Sequence, residues 1–250
     1  MRRLLLFYLF AFIPFFVRAQ VGEYRTDFAV GVNGGYILSN VSFTPDVPQN
    51  MQGGMTAGVT FRYTCERYFK SICSIVAEVN IAQVGWKEKI QGLENQPLYY
   101  EGDDVALHYE RKMTYLQIPL FARLGWGRER KGLQGFFQVG PQMGIFLSES
   151  TNMNLIPGIQ PTEPRSSNIV AQETMPVEKK FDYGIAGGAG IEFSVPKVGH
   201  FMLEGRYYYG LGNIYGNSKS DYFGKSNFGQ IVIKATYLFD IIKTKNDKIK

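Results

Sequence analysis

The sequence contains few of the residues on which catalytic and metal sites depend. Among its 250 residues there are two cysteines and two histidines. Cys65 and Cys73 stand without further ligands at metal-binding spacing. No predicted strand presents a histidine and a serine together on its outer face, as a hydrolase built on the wall of a membrane barrel needs. We therefore expect no enzymatic activity, no cofactor and no small-molecule substrate.

Long apolar runs and a helix-forming composition are also missing after the N-terminus. Beyond residue 19 no apolar run approaches the roughly 18 residues of a membrane helix. Leu, Ala, Glu and Lys do not dominate as they do in helical bundles. The 28 glycines, 19 phenylalanines and 16 tyrosines favour a sheet protein instead.

The first 19 residues have the features of a secretory signal peptide. Arg2 and Arg3 precede the apolar stretch Leu4 to Val17, and Ala19 offers a small residue for cleavage before Gln20. Removal of this segment takes away three arginines, so the formal net charge falls from +5 to +2. The remaining chain has no basic block dense enough for nucleic acid, and we expect no nucleic-acid partner.

The dominant pattern of the mature chain is an alternation of apolar residues with small or polar ones. Alternation with a period of two predicts strands that have one apolar face. It occurs in eight segments: Asp27 to Asn40, Gly54 to Thr64, Ser74 to Trp86, Met113 to Trp126, Gly135 to Ser148, Phe181 to Ser194, His200 to Gly212 and Asn227 to Phe239. Each segment is long enough to cross a thin bilayer when the strand is tilted.

The connections between these segments indicate how the strands are arranged. Short connections follow the second, fourth and sixth segments, whereas long loops, Lys87 to Lys112 and Glu149 to Lys180, follow the third and fifth. An even strand number with short turns at one end describes an antiparallel up-and-down barrel of the outer membrane. We predict an all-β, eight-stranded transmembrane barrel over residues 20–239 and a basic periplasmic tail over residues 240–250. A soluble β-sandwich is the alternative, although its strands are usually shorter.

The stretch FDYGIAGGAGIEFSVP, Phe181 to Pro196, resembles a phosphate-binding loop at first sight. Such a loop needs a strand, a tight turn and then a helix N-terminus, whereas here the alternation continues through the glycines. Gly184, Gly188 and Gly190 fall on the polar face and point into the predicted lumen. The interior of an eight-stranded barrel is just wide enough for side chains, so these glycines leave room for large neighbours.

Charged residues fall on the polar faces of the predicted strands near their periplasmic ends. They are Arg62, Glu78, Arg123, Glu192, Glu204, Arg206 and Lys234. Buried charges are costly unless they are paired, so we expect a structural ion-pair cluster at one level of the narrow lumen. A gated polar path for small ions is the alternative, while the strand count excludes a wide pore.

Two pairs of residues predict local departures from a regular barrel. Cys65 and Cys73 flank a short turn in an oxidising compartment, so we expect a disulfide that closes the hairpin, with two free thiols as the alternative. Pro119 and Pro141 interrupt the fourth and fifth strands at similar heights, and neither can donate to a ladder. A bulge or a weak seam is expected between these two strands.

Four segments carry a family resemblance: YLQIPLFARLGW, VGPQMGIFLSES, EKKFDYGIAGGAGIEF and LEGRYYYGLGNI. Together they resemble the PorT-like outer-membrane barrels of Bacteroidota, over almost the whole mature chain. The resemblance implies an eight-stranded barrel without catalytic residues. Founding members of that family are required for type IX secretion of surface and extracellular proteins. The long loop from Ser148 to Gly184 resembles the founding members more than it resembles generic relatives.

The resemblance implies a non-enzymatic accessory of protein secretion, exported by its signal peptide and integrated into the cell outer membrane. Its expected partners are outer-membrane lipid and other envelope proteins of the secretion machinery. A surface adhesin or receptor that acts through the long extracellular loops is the second hypothesis.

Overall fold

Eight antiparallel strands form a closed ring in the computed structural model, which describes residues 23–102, 104–156, 159, 161–165, 173, 175–216, 218 and 221–244. The strands are β1 (Glu23–Thr44), β2 (Gln49–Tyr68), β3 (Ser71–Glu88), β4 (Tyr109–Gly127), β5 (Gly132–Met153), β6 (Phe181–Val195), β7 (Gly199–Gly210) and β8 (Lys225–Ile242). Each strand pairs with the next along the chain, and β8 pairs with β1 to close the barrel. The predicted fold class is confirmed.

Two predicted parts of the chain lie wholly or partly outside the described residues. The signal peptide, with its cleavage site between Ala19 and Gln20, precedes the first described residue, and the basic tail is described only as far as Thr244. Strand β8 continues to Ile242, three residues past the predicted end of the barrel. Within the described ranges, no helix has both the length and the apolar character needed to cross a membrane.

The two faces of the barrel wall differ as the alternation predicts. Outward side chains are apolar and exposed, such as Val32 at 60% and Ile233 at 59% relative exposure, whereas their neighbours Asn33 and Lys234 are buried in the lumen. Aromatic side chains lie on the outer face near both ends: Tyr63, Trp126, Phe193, Phe201 and Phe239 near the short turns, and Tyr36, Tyr183 and Tyr209 near the long loops. Two such girdles are typical of barrels in the outer membrane.

The two ends of the barrel are built differently. Tight turns at residues 69–70, 128–131 and 196–198 lie at the end that also holds the first described residues of β1 and the end of β8. Long connections over residues 89–108, 154–180 and 211–224 lie at the other end, together with the four-residue connection 45–48 between β1 and β2. In this architecture the short turns are periplasmic and the long loops extracellular. These two ends are called periplasmic and extracellular below.

Several strands extend further than the sequence pattern predicts. β1 reaches Thr44 rather than Asn40, and β5 reaches Met153 rather than Ser148. The outward residues of the added part of β1 are Ser42 and Thr44, so the apolar alternation ends although the hydrogen-bonded ladder with β8 continues. The barrel wall therefore extends beyond the part of β1 that presents apolar residues to lipid.

The two prolines produce a seam between β4 and β5. Paired Cα partners stop at Pro119 and Gln142 and resume at Ala122 and Val139 in the same register. An unchanged register means that no residue is inserted, so the departure is a gap in the ladder rather than a bulge. Pro119 is buried inside the barrel, whereas Pro141 is exposed on its outer face.

The predicted disulfide is wrong, because Cys65 and Cys73 are both free thiols. The register between β2 and β3 shifts between Thr64 and Glu66, so Cys73 lies opposite Glu66 and Cys65 has no partner residue across the hairpin. The Cys65 thiol donates instead to the carbonyl oxygen of Tyr63, at 3.8 Å. A bulge of one residue is thus enough to separate two cysteines that flank the same turn.

The free thiols give a direct chemical prediction. Purified, unreduced protein unfolded in denaturant should react with two equivalents of a thiol reagent, and prior reduction should not raise that number. Replacement of both cysteines by serine should change the free energy of unfolding by less than about 1 kcal/mol, because both side chains are partly exposed. A titre that rises from zero to two on reduction contradicts the structure.

Candidate functional site: the filled lumen and the extracellular crown

The periplasmic half of the lumen holds an ion-pair group that we call the lower cluster: Arg62, Arg123, Glu192, His200 and Asp240. Glu192 accepts from Nη1 of Arg62 at 2.7 Å and also from Nη2 of Arg123. Nε2 of His200 lies 3.0 Å from both carboxylate oxygens of Asp240, which in turn pairs with Lys243 at 2.7 Å. The cluster ties five strands, β2, β4, β6, β7 and β8, and the chain beyond β8 to one another.

A Ser–His–carboxylate arrangement within this cluster was not predicted from the sequence. The hydroxyl oxygen of Ser194 lies 2.8 Å from Nδ1 of His200, on the side of the ring opposite to Asp240. However, Oε1 of Glu192 lies 2.7 Å from the same Nδ1 and competes for it. The cavity beside these residues has a volume of about 20 Å³, room for about one water molecule. This cavity is too small for an ester or amide substrate. The contacts among Ser194, His200 and Asp240 therefore serve to link β6, β7 and β8 through hydrogen bonds.

A second ion-pair group, the upper cluster, lies further from the periplasm and consists of Glu78, Glu204, Arg206 and Lys234. Nζ of Lys234 lies 2.5 Å from Glu78 and 3.3 Å from Glu204. Arg206 donates to the same two carboxylates at 3.0 and 2.5 Å. Two acids and two bases thus neutralise one another in a space from which solvent is largely excluded, since all four side chains are at most 4% exposed.

Aromatic rings cover the arginines of both clusters. The guanidinium carbon of Arg123 lies 3.9 Å from the ring centroid of Phe136, and that of Arg206 lies 4.4 Å from the centroid of Phe121. Contacts of this kind are favourable where the cation has been removed from water. The polar half of the lumen is therefore filled with paired and packed side chains.

The structure places all seven predicted charged residues inside the barrel, but at two levels rather than one. On β6 and β7, Glu192 lies opposite Met202, whereas Glu204 lies opposite Lys234 on β7 and β8. Glu204 pairs with Gly190, two residues further from the periplasmic turn than Glu192, so the two acids belong to different levels. Each level contains its own pairing partners, which makes the clusters fixed cross-links between strands.

Apolar side chains fill the extracellular end of the lumen. Phe43, Trp86 and Phe223 are buried there, with ring centroids 5.3 Å apart for Phe43 and Trp86 and 4.8 Å apart for Phe43 and Phe223. Tyr215 stacks on Phe223 at 5.6 Å. We call these residues, together with the extracellular loops and strand ends, the crown. The alternation alone left the face of Trp86 undecided, and the structure shows that it points inward.

Two arginines, the buried Arg111 and the partly buried Arg165, fasten the long loop between β5 and β6 to the barrel. Arg111 on β4 donates to Glu149 at 2.8 Å, to the carbonyl oxygen of Met175 at 2.7 Å and to the hydroxyl of Tyr215 at 3.0 Å. Arg165 within the loop binds Glu88 at 2.7 Å and Glu173 at 3.0 Å. Arg111 and Arg165 therefore hold the loop to the barrel at two points.

Burial affects the titration of two crown groups. It raises the pKa of Glu173, while the neighbouring Arg165 acts to lower it. Burial likewise raises the pKa of Tyr215 above its usual range, against the opposing charge of Arg111. Tyr215 therefore stays neutral at physiological pH and accepts a hydrogen bond from Arg111.

Loss of the Arg111 anchor should loosen the crown. The Arg111→Met variant should be cut by trypsin after Arg165 or Lys179 at least about tenfold faster than the native chain, because hydrogen bonds of a buried charge contribute roughly 1.5–3 kcal/mol. The Lys112→Met variant is the matched control, since Lys112 is exposed and, among the residues that the structure describes, pairs with Glu110 alone, at 3.0 Å. Equal cleavage rates in the two variants contradict the anchoring role of Arg111.

The outer surface of the crown presents apolar side chains to solvent. Exposed ones are Leu93 at 73%, Val105 at 56%, Ile156 at 52%, Ile159 at 52% and Tyr222 at 48%. Loops 89–108 and 154–180 contact each other directly, through the bridge between Gly92 and Arg165 and through the bond from the amide of Thr162 to the oxygen of Tyr99. Apolar groups held on connected loops form a surface suited to protein contacts.

Metal chemistry finds no support in the part of the chain that the structure describes. There, no three histidine, cysteine, aspartate or glutamate side chains come together in a way that could hold a metal ion. The acidic residues of the two lumen clusters are instead paired with arginine, lysine or histidine, and Asp182 accepts a hydrogen bond from the Tyr208 hydroxyl at 2.6 Å.

Three solved structures of bacterial surface and outer-membrane proteins are similar to this chain at low identity. Ail, the attachment invasion locus protein of Yersinia pestis, is 15% identical with a TM-score of 0.35, covering 87% of this chain and 99% of its own. The outer membrane protein OprG of Pseudomonas aeruginosa is 16% identical with a TM-score of 0.41, covering 87% and 98%. The Neisserial surface protein A is 10% identical with a TM-score of 0.39, covering 85% and 97%. A search of curated proteins found no match.

A family model supplies the assignment. The model described as "Outer membrane protein beta-barrel domain" matches residues 18–216, which is most of the chain. This match agrees with the closed ring of eight strands, the outward apolar face and the two aromatic girdles. The chain therefore belongs to the outer membrane protein beta-barrel domain family and is a protein of the cell outer membrane.

Proposed function

We propose that this barrel is a non-enzymatic accessory of protein secretion, of the type IX kind, and that it acts through contacts with other envelope proteins. The observation that carries the proposal is the combination of a lumen filled by fixed ion pairs with a crown that presents apolar side chains on anchored loops. A filled barrel offers its outer surfaces rather than its interior for function.

The sequence supports the choice of secretion. The four segments that resemble PorT-like barrels lie on β4, β5, β6 and β7 and on the connections next to them. They include Arg123, Glu192, Glu204 and Arg206, so the resemblance extends to the lumen clusters. It also includes Ser148 to Ser150, near the extracellular end of β5, and Glu178 to Lys180, at the end of the long loop.

A deletion strain tests the proposal. Loss of the protein should leave secretory cargo unprocessed and retained inside the cell, and a plasmid copy of the native gene should restore its release. A copy with the crown residues Leu93, Ile156 and Ile159 changed to serine should insert into the membrane but fail to restore release. Normal cargo release in the deletion strain contradicts the proposal.

A surface adhesin or receptor is the second candidate, and the exposed apolar side chains of the crown favour it specifically. It predicts a different phenotype of the same strain: cargo secretion stays normal while adherence to a surface or a host cell is lost. Measuring both properties in one strain separates the two functions.

A further inference from the structure

The periplasmic ends of β3, β4 and β5 carry exposed cations around one exposed tryptophan. Trp126 is 47% exposed on the outer face, and its Cα partner across the ladder is Ser71, the residue after Lys70. Arg128 and Lys131 lie in the turn that begins two residues after Trp126. Lys70, Arg128 and Lys131 are all exposed and form no ion pair within the described part of the chain.

Two of the nearby acids are already neutralised by other bases, whereas Glu66 on β2 forms no ion pair within the described part of the chain. Glu129, in the same turn as Arg128, is buried and pairs with Arg25 at 2.8 Å and with Arg67 at 3.5 Å. Asp27 pairs with Arg130 at 3.2 Å. The three exposed cations outnumber Glu66, so this corner of the barrel keeps a net positive charge.

The outer wall beside Trp126 has one position without a side chain. Gly135 on β5 lies on the outer face, opposite Trp126 on β4 and Ile191 on β6. A Cβ atom placed at Gly135 meets no other atom within 4 Å, while Trp126 and Ile191 on either side are 47% and 51% exposed. The two large side chains form the sides of a short, shallow groove whose floor is the glycine backbone and whose ends are formed by the exposed Leu133 and Phe137.

From this arrangement we propose a binding site for one anionic phospholipid of the periplasmic leaflet. Its phosphate headgroup is bound by Lys70, Arg128 and Lys131, and an acyl chain lies in the groove over Gly135 between Trp126 and Ile191. The headgroup and the chain of one lipid thus occupy the cationic turn and the apolar groove at once. The site goes beyond the proposed function and does not depend on it.

The height of the cations favours a lipid over an acidic protein. The turns hold only two and four residues, Phe69 to Lys70 and residues 128–131, so their cations stay close to Trp126 in the periplasmic girdle. Aromatic girdles mark the level of the headgroups. Lysine and arginine near such a level reach headgroup phosphates with the charged end while their stems pack on apolar surface.

Quenching of tryptophan fluorescence by brominated lipid tests the site in the native protein. The chain has two tryptophans, and Trp86 is buried at 0% exposure, so lipid bromine reaches only Trp126. The protein is reconstituted into vesicles of phosphatidylcholine with a minor fraction of phosphatidylglycerol, and the bromine is carried either by one lipid or by the other. At equal mole fractions of the brominated lipid, brominated phosphatidylglycerol should quench Trp126 fluorescence at least about threefold more effectively than brominated phosphatidylcholine. About 1 M salt should remove most of this difference.

Two variants and a matched control complete the test. The double variant R128Q/K131Q should lose the preference for phosphatidylglycerol, and Gly135→Leu should reduce quenching by both lipids because the groove is filled. The control K87Q/K112Q removes two exposed cations near the extracellular end and should keep the full preference. Equal quenching by the two lipids in the native protein, or loss of the preference in the control as well, overturns the proposal. If the native protein is quenched equally by both lipids, the three exposed cations are available to an acidic protein partner instead.

Discussion

Replacement of Glu78 by alanine should destabilise the barrel by about 3–5 kcal/mol, because it leaves a buried cation without its counter-ion. Glu78 pairs with Arg206 at 3.0 Å and with Lys234 at 2.5 Å, and it accepts a hydrogen bond from Asn80 at 2.9 Å. Once it is gone, Glu204 alone faces two cations in the filled lumen. The remaining positive charge cannot reach bulk water without opening the strands.

Urea unfolding in vesicles, followed by tryptophan fluorescence, measures this loss. Glu78→Gln keeps the size of the side chain and part of its hydrogen bonding, so it should destabilise the barrel less than Glu78→Ala does. Glu110→Ala is the matched control: Glu110 pairs with the exposed Lys112 outside the lumen, and its removal should cost less than about 1 kcal/mol. Similar losses for Glu78→Ala and Glu110→Ala show that the upper cluster does not stabilise the fold.

Valine at Gly190 should cost about 3 kcal/mol, since the lumen has no space for a side chain there. A Cβ atom at this position lies 2.3 Å from the carbonyl oxygen of Leu203 and 2.7 Å from the ring of Phe136. The first contact is with the backbone of the paired strand, so relief requires movement of β6 against β7. The second displaces the ring that covers Arg123.

Gly205→Val is the matched control on the neighbouring strand. Gly205 lies on the outer face, where a Cβ atom meets nothing within 4 Å. Because valine also favours strands, this variant should match or slightly exceed the native stability, by less than about 1 kcal/mol. The opposite signs for two glycines on adjacent strands follow from the side of the wall on which each lies. Destabilisation of equal size in both variants means that the lumen is not filled at Gly190.

The sequence predicts most of the barrel wall because a strand with a period of two assigns every residue to a face. Arg123 and Glu204 were assigned to the lumen in this way, and Trp126 and Ile233 to the lipid face. The same reasoning identified the glycines of β6 as lumen residues rather than a phosphate loop. Such assignments need no knowledge of how strands are staggered.

Features that depend on register between strands could not be predicted. The contacts of His200 with Ser194 and Asp240 join residues of β6, β7 and β8, and only the pairing of those strands brings them together. The two levels of the lumen clusters have the same origin. The disulfide prediction failed for a related reason, since one bulge residue displaces Cys65 from Cys73.

The crown was least predictable, because loops have no periodicity. The anchoring of residues 154–180 through Arg111 and Arg165 joins positions far apart in sequence. The aromatic side chains of Phe43, Tyr215 and Phe223 were the available sequence signal of a packed extracellular core. Their spacing alone does not distinguish such a core from an aromatic girdle.

Spin labels along β8 test the central claim that lipid-facing and enclosed residues alternate strictly. Single cysteines at positions 231, 232, 233, 235 and 236 are labelled in a protein whose Cys65 and Cys73 are serine, and collision with dissolved oxygen is measured in vesicles. Oxygen collects in the bilayer, so high collision rates are predicted at Ile231, Ile233 and Ala235 and low rates at Val232 and Thr236. Uniform rates along the strand, or high rates at Val232 and Thr236, contradict the account.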